Sequence, residues 1–110
     1  MKKGRRAQLE RAGWRVGDAA DFVGLSKEEA AFVELKLALA ESLRTQRART
    51  GMTQAGLARV LHSSQSRVAK MEAADLSVSI DLLVRSLLSL GVSRREIGRS
   101  IAAPQRRHAA

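Results

Sequence analysis

The stretch MTQAGLARVLHSSQSRVAKME, residues 52–72, constrains the fold more than any other part of the chain. Two short apolar-periodic segments flank a polar turn. Thr53 and Ser64 each stand just before one segment, where a hydroxyl accepts from a free backbone amide of the first helical turn. The pattern predicts a helix from about 54 to 61 and another from about 65 to 73. Leu57 and Leu61 would face inward from the first, and Val68 and Met71 from the second. Ala58 is small where two steeply crossing helices would touch.

The rest of the chain is helical in pattern too. Only Trp14, Phe22 and Phe32 are aromatic, so the core must be Leu, Val, Ile, Met and Ala. These residues, with Pro104 as the single proline, favour helices. Apolar residues make up 45% of the 110, which supports one domain plus a tail and argues against wholesale disorder. Ser26, Lys27, Glu28 and Glu29 form a capping-box pattern, so a long helix is expected from about 27 to 49. Its main apolar stripe is Phe32, Leu35, Leu39 and Leu43. A second stripe, Ala30, Val33, Leu37 and Ala40, would pack on later helices of the chain or on another protein. Gly51 is placed to close this helix in a left-handed conformation. Ser79 opens a fourth helix carrying Ile80, Leu83, Val84, Leu87, Leu88 and Leu90, ending at Gly91. Ser93 and Glu96 form a second capping box and open a fifth helix through Ile97 and Ile101, with Pro104 just beyond. Leu87, Leu90, Val92 and Ile97 suit a dimer surface and a core equally.

The expected organisation is a basic N-terminal extension over residues 1–25, followed by a helical domain over residues 26–110. Residues 1–13 carry Lys2, Lys3, Arg5, Arg6 and Arg11 and read as a mobile arm, either solvated or touching phosphates. Trp14 and Phe22 would form a small apolar patch, more naturally core than partner surface.

A formal charge of +9 exceeds what solubility requires and points to a polyanion, most commonly nucleic acid. A general bias toward Arg and Ala accounts for the distribution of charge less well than it accounts for the total. Residues 42–71 contain no acid, yet hold Arg44, Arg47, Arg49, Arg59, Arg67 and Lys70. On the outer side of the helix opened by Ser64 lie Gln65, Ser66, Arg67, Ala69 and Lys70. Gln can bond two atoms of an adenine edge and Arg or Lys can bond guanine, each good contact discriminating by about 1–3 kcal/mol. Gln54 and Ser64, at helix starts, can share a phosphate oxygen with free amides.

Other classes find little support. There is no cysteine, hence no disulfide and no thiolate metal site. The basic N-terminus lacks an apolar signal core, and no run approaches a membrane span, so a cytoplasmic location is expected. Only His62 and His108 are histidines, and no paired carboxylates, nucleophile–base set or phosphate-cradling Gly loop occurs. No enzyme activity, metal or cofactor is expected.

The spacing Thr53-Gln54-Ala55-x-Leu57-Ala58, Ser64-Gln65-Ser66-x-Val68 and Met71-Glu72 resembles the phage-repressor (Cro/cI, Xre) helix-turn-helix family over about residues 43–91. The resemblance implies an all-α, compact five-helix, lambda-repressor-like domain that binds palindromic operator DNA, usually as a homodimer, and represses transcription. It implies that Gln54 holds phosphate and supports the base reader. Gln65, Ser66 and Lys70 would face bases, and Ser64 and Arg67 phosphates or base edges. Arg47 and Glu72 would form a structural ion pair. The chain departs from the family at His62, where Gly is usual in the turn, at Gly56 inside the first helix of the motif, and at residues 73–76, which lack the usual Gly and Pro. That last segment is expected to extend the helix or to be loose. The upstream segment over residues 24–36 is similar to HigA-like antitoxins, which implies a RelE/HigB-type toxin partner and control of a shared operon. Glu28, Glu29 and Glu34 would then mask a basic toxin site, or simply be solvated. A stand-alone regulator and a primarily toxin-inhibiting protein are the alternatives.

Overall fold

The computed structural model describes residues 26–103. The basic arm, the Trp14 and Phe22 patch, Pro104 and His108 lie outside the described residues. Among the described residues five helices follow one another: α1 Lys27–Arg49, α2 Gln54–Val60, α3 Gln65–Glu72, α4 Ile80–Ser89 and α5 Arg94–Ala102, with no strand. The fold is all-α.

Each helix starts on a hydroxyl. Ser26 Oγ accepts from the Glu29 amide at 3.1 Å, and Glu29 Oε1 accepts from the Ser26 amide at 3.0 Å. Thr53, Ser64 and Ser79 accept from the amides of Gly56, Arg67 and Leu82 at 2.9, 3.1 and 3.0 Å. Ser93 and Glu96 exchange bonds of 3.1 Å each way. Such caps satisfy amides that have no partner within the helix, and each contributes about 1 kcal/mol.

The first four helices end in one kind of wrap. An amide three residues past the last helical residue reaches back to a carbonyl five residues earlier: Met52 to Arg47 at 3.1 Å, Ser63 to Ala58 at 2.8 Å, Asp75 to Lys70 at 3.0 Å, Val92 to Leu87 at 3.1 Å. The wrap needs a left-handed residue before that amide. Gly51 and Gly91 supply it at φ +71° and +86°, whereas His62 and Ala74 adopt φ +55° and +54° without being glycine. Ala74 corrects the expectation for residues 73–76, since α3 stops at Glu72 and the turn closes tightly. The Ala74 methyl is buried, and Asp75 Oδ2 accepts from the Ser77 amide and hydroxyl at 3.0 and 2.7 Å. Packing and loop hydrogen bonds thus hold a conformation that the alanine itself disfavours.

The described residues divide after Leu35 into two units. In the first, residues 26–35, Val33 is buried while Phe32 and Leu35 are exposed, at 55% and 36%. In the second, Lys36–Ala103, the largest fully buried side chains are Leu39, Leu43, Leu57, Met71, Leu83, Leu87, Val68 and Val78. The expected main stripe of α1 is therefore corrected. Leu39 and Leu43 are core, Phe32 and Leu35 are not, and Val33, Leu37 and Ala40 of the second stripe are buried. Leu87, Val92 and Ile97 are core, and the exposed large apolar side chains of α4 and α5 are Leu88 and Ile101. α2 packs on α3 and α4 on α5, while Ser100 Oγ donates to Ser42 Oγ at 3.3 Å and ties α5 to α1.

Candidate nucleic-acid interface

Successive residues of a helix turn by about 100°, so residues three and four apart share a face. In α3 the buried positions are Val68, Met71 and Glu72, which fixes the direction of every other side chain. Ser66 and Lys70 fall on the opposite face. Gln65 and Arg67 flank them, one at each edge. Ser64, Gln65, Ser66, Arg67 and Lys70 are all exposed, and Gln54 at the start of α2 is half-buried. Ser64 also serves as the cap of α3, and its hydroxyl lies 3.3 Å from that of Ser66.

Beneath this face runs a chain of polar contacts. Arg47, in the last turn of α1, donates from Nε to Glu72 Oε2 at 2.5 Å and from Nη2 to Glu72 Oε1 at 3.0 Å. Its Nη1 donates to the Met52 carbonyl at 3.0 Å, which also secures the turn into α2. The Arg47 side chain is 20% exposed and that of Glu72 only 4%. The hydrogen bonding to Glu72 holds the Arg47 pKa above its ordinary value, with burial opposing and the carboxylate charge assisting. Gln54 Nε2 donates to Glu72 Oε1 at 3.1 Å, and Gln65 Nε2 donates to Gln54 Oε1 at 3.1 Å. The family resemblance implies that Gln54 supports the base reader, but its bond to Glu72 is not part of that expectation. The one signal for the two glutamine contacts is that both residues open their helices directly after the capping hydroxyl.

The cations sort into two groups. Arg47 is committed to Glu72, and Arg44 pairs with Glu41 at 2.5 Å. Among the described residues no carboxylate forms an ion pair with Arg59, Arg67 or Lys70, and all three are exposed. A polyanion approaching α3 therefore meets positive charge whose attraction is not cancelled at close range. Among the described residues no cluster of His, Asp or Glu is placed to hold a metal ion, and no helix is long and apolar enough to cross a membrane.

Two short packed helices, a left-handed turn at His62 and a second helix with its hydrophilic side outward form a helix-turn-helix. A family model described as a helix-turn-helix domain matches residues 38–100, more than half of the chain. The chain belongs to the helix-turn-helix domain family. The match begins inside α1 and ends inside α5, so this helix-turn-helix domain includes both Arg47 and Glu72. No curated protein and no solved structure gives a significant match. A helix-turn-helix is a DNA-binding architecture whose second helix enters the major groove, and in this domain the second helix of the pair is α3.

Proposed function

We propose that this chain is a sequence-specific transcriptional repressor of the Xre type that binds a palindromic operator as a homodimer. Residues 26–110 form the DNA-binding domain and residues 1–25 a basic extension. The observation that carries the reading is the division of α3: Val68, Met71 and Glu72 buried, Gln65, Ser66, Arg67 and Lys70 exposed. Gln65, Ser66 and Lys70 read base edges in the major groove. Ser64, Arg67 and Gln54 hold phosphates or support the readers. Two copies would place their α3 helices one helical turn of DNA apart, about 34–36 Å.

Selection of bound duplexes from a random pool, followed by mobility shifts across salt concentrations, tests this. Gln65→Ala should relax the preference at one position of each half-site. Arg59→Ala should weaken all duplexes alike and flatten the salt slope by about one unit. Equal affinity for the selected duplex and its scrambled form would refute sequence-specific binding.

A second reading makes the chain the antitoxin of a type II toxin–antitoxin pair that represses its own operon. The exposure of Phe32 and Leu35 beside the exposed Glu28 and Glu29 favours it, because that surface suits a basic protein with an apolar patch. Co-purification with the product of a neighbouring reading frame, lost in Phe32→Ser, supports the antitoxin. Failure of any neighbouring product to bind leaves a stand-alone regulator.

A further inference from the structure

We propose that Glu72, although buried, is a positioning residue for base recognition: it sets which edge of the Gln65 amide faces the DNA. The inference rests on the DNA-binding reading above and deepens it.

The argument is one of hydrogen-bond polarity. An arginine only donates, and an ionised carboxylate only accepts. Glu72 is therefore fixed as an acceptor by the two bonds it takes from Arg47. A carboxamide has one accepting and one donating end, and rotation by half a turn exchanges them. Beside Glu72 Oε1, Gln54 must present Nε2, and does so at 3.1 Å. Its Oε1 is then the group that meets Gln65, which must present its own Nε2, again at 3.1 Å. The charge on Glu72 thus dictates the orientation of two successive amides. Gln65 keeps Oε1 and one N–H for a ligand, and the adenine edge offers the matching donor and acceptor. Without the carboxylate, either orientation of Gln54 is equally satisfied, and Gln65 is released to turn.

The chain is short enough to be specific. Glu72 is 5% exposed, so no water competes freely for its oxygens. Arg47 reaches it from α1, Gln54 from α2 and Gln65 from the same helix as Glu72. Three helices thereby converge on one orientation at the exposed end.

Two measurements test the proposal separately from DNA binding. In the free, full chain, through-hydrogen-bond NMR couplings should link Gln65 Nε2 to the Gln54 carboxamide carbon and Gln54 Nε2 to the Glu72 carboxylate carbon. Then duplex selection is repeated with Glu72→Gln and Gln54→Met. The second variant keeps the ion pair, so it preserves the fold if the first does not. The position read by Gln65 is the one whose preference disappears in Gln65→Ala. In wild type its preference should be about tenfold or more, and in both variants about threefold or less, with other positions unchanged. Unchanged preference in folded Gln54→Met, or a Gln65 amide with no coupling to Gln54, overturns the proposal. If wild type selects no sequence at all, the regulator reading fails, and the couplings alone decide the polarity.

Discussion

Removing one partner of the Arg47–Glu72 pair should destabilise the domain by an amount that depends on which partner goes. Glu72 has the more buried side chain, 4% exposed against 20% for Arg47. Arg47→Met leaves a carboxylate sealed from water with one neutral donor, Gln54 Nε2. The loss should sit in the range for breaking a buried pair, about 3–5 kcal/mol. Glu72→Leu leaves Arg47 with its bond to the Met52 carbonyl and part of its guanidinium in water, so the loss should be smaller, about 2–3 kcal/mol. The double variant Arg47→Met, Glu72→Leu should recover much of either loss, because no charge is then stranded. Small domains have only about 5–15 kcal/mol in total, so either single loss is easily measured. Urea unfolding followed by far-ultraviolet circular dichroism gives the three values. If Arg47→Met costs less than Glu72→Leu, or if the effects simply add, the pair is not what locks α1 to α3.

His62→Gly should raise stability by about 0.5–1 kcal/mol, since an exposed side chain is removed from a left-handed residue. Ala74→Gly should gain little, because the buried methyl it removes offsets the relief of strain; thermal unfolding of both variants separates the two cases. Gly56→Ala should bring less than the usual helix-propensity gain, because a Cβ there would meet Thr53 Oγ1 at 3.3 Å and press on the cap of α2; its melting temperature should stay close to that of wild type. The Ser93 amide, the largest influence, holds the Glu96 pKa below its ordinary value, with the Ser93 hydroxyl, Arg99 and Arg49 assisting and burial opposing. A lowered carboxylate contributes stability that is present above the unfolded value and is lost as pH falls through the folded one. The melting-temperature gap between wild type and Glu96→Gln should therefore close as the solution is acidified below the usual carboxylate range.

Most helix boundaries were legible because their causes are local. Thr53, Ser64, Ser79 and Ser93 act on amides three residues away, and the pattern of hydroxyl then apolar period is visible along one dimension. The inner and outer faces of α3 followed from the same logic. Three features did not. Ala74 gives no sign in its side chain of a left-handed backbone, which neighbouring contacts impose. Periodicity gives two apolar stripes on α1 but not which of them is buried near its start, where Val33 is buried and Phe32 and Leu35 are exposed. The contacts of Gln54 with Glu72 and with Gln65 join residues 18 and 11 apart in sequence, and only the packing of α2 on α3 brings them together.

The order of the residues in that polar chain has an evolutionary corollary. Gln65 is its last member, and a substitution there subtracts one exposed bond while the scaffold persists. Gln54 is a middle member, and its loss severs two; Glu72 is the root, and its loss unsettles the junction of three helices. Tolerance of mutation should therefore grow outward from α1 toward the surface. A lineage of such domains can acquire new operators by drifting at the tip while its interior is held constant by purifying selection.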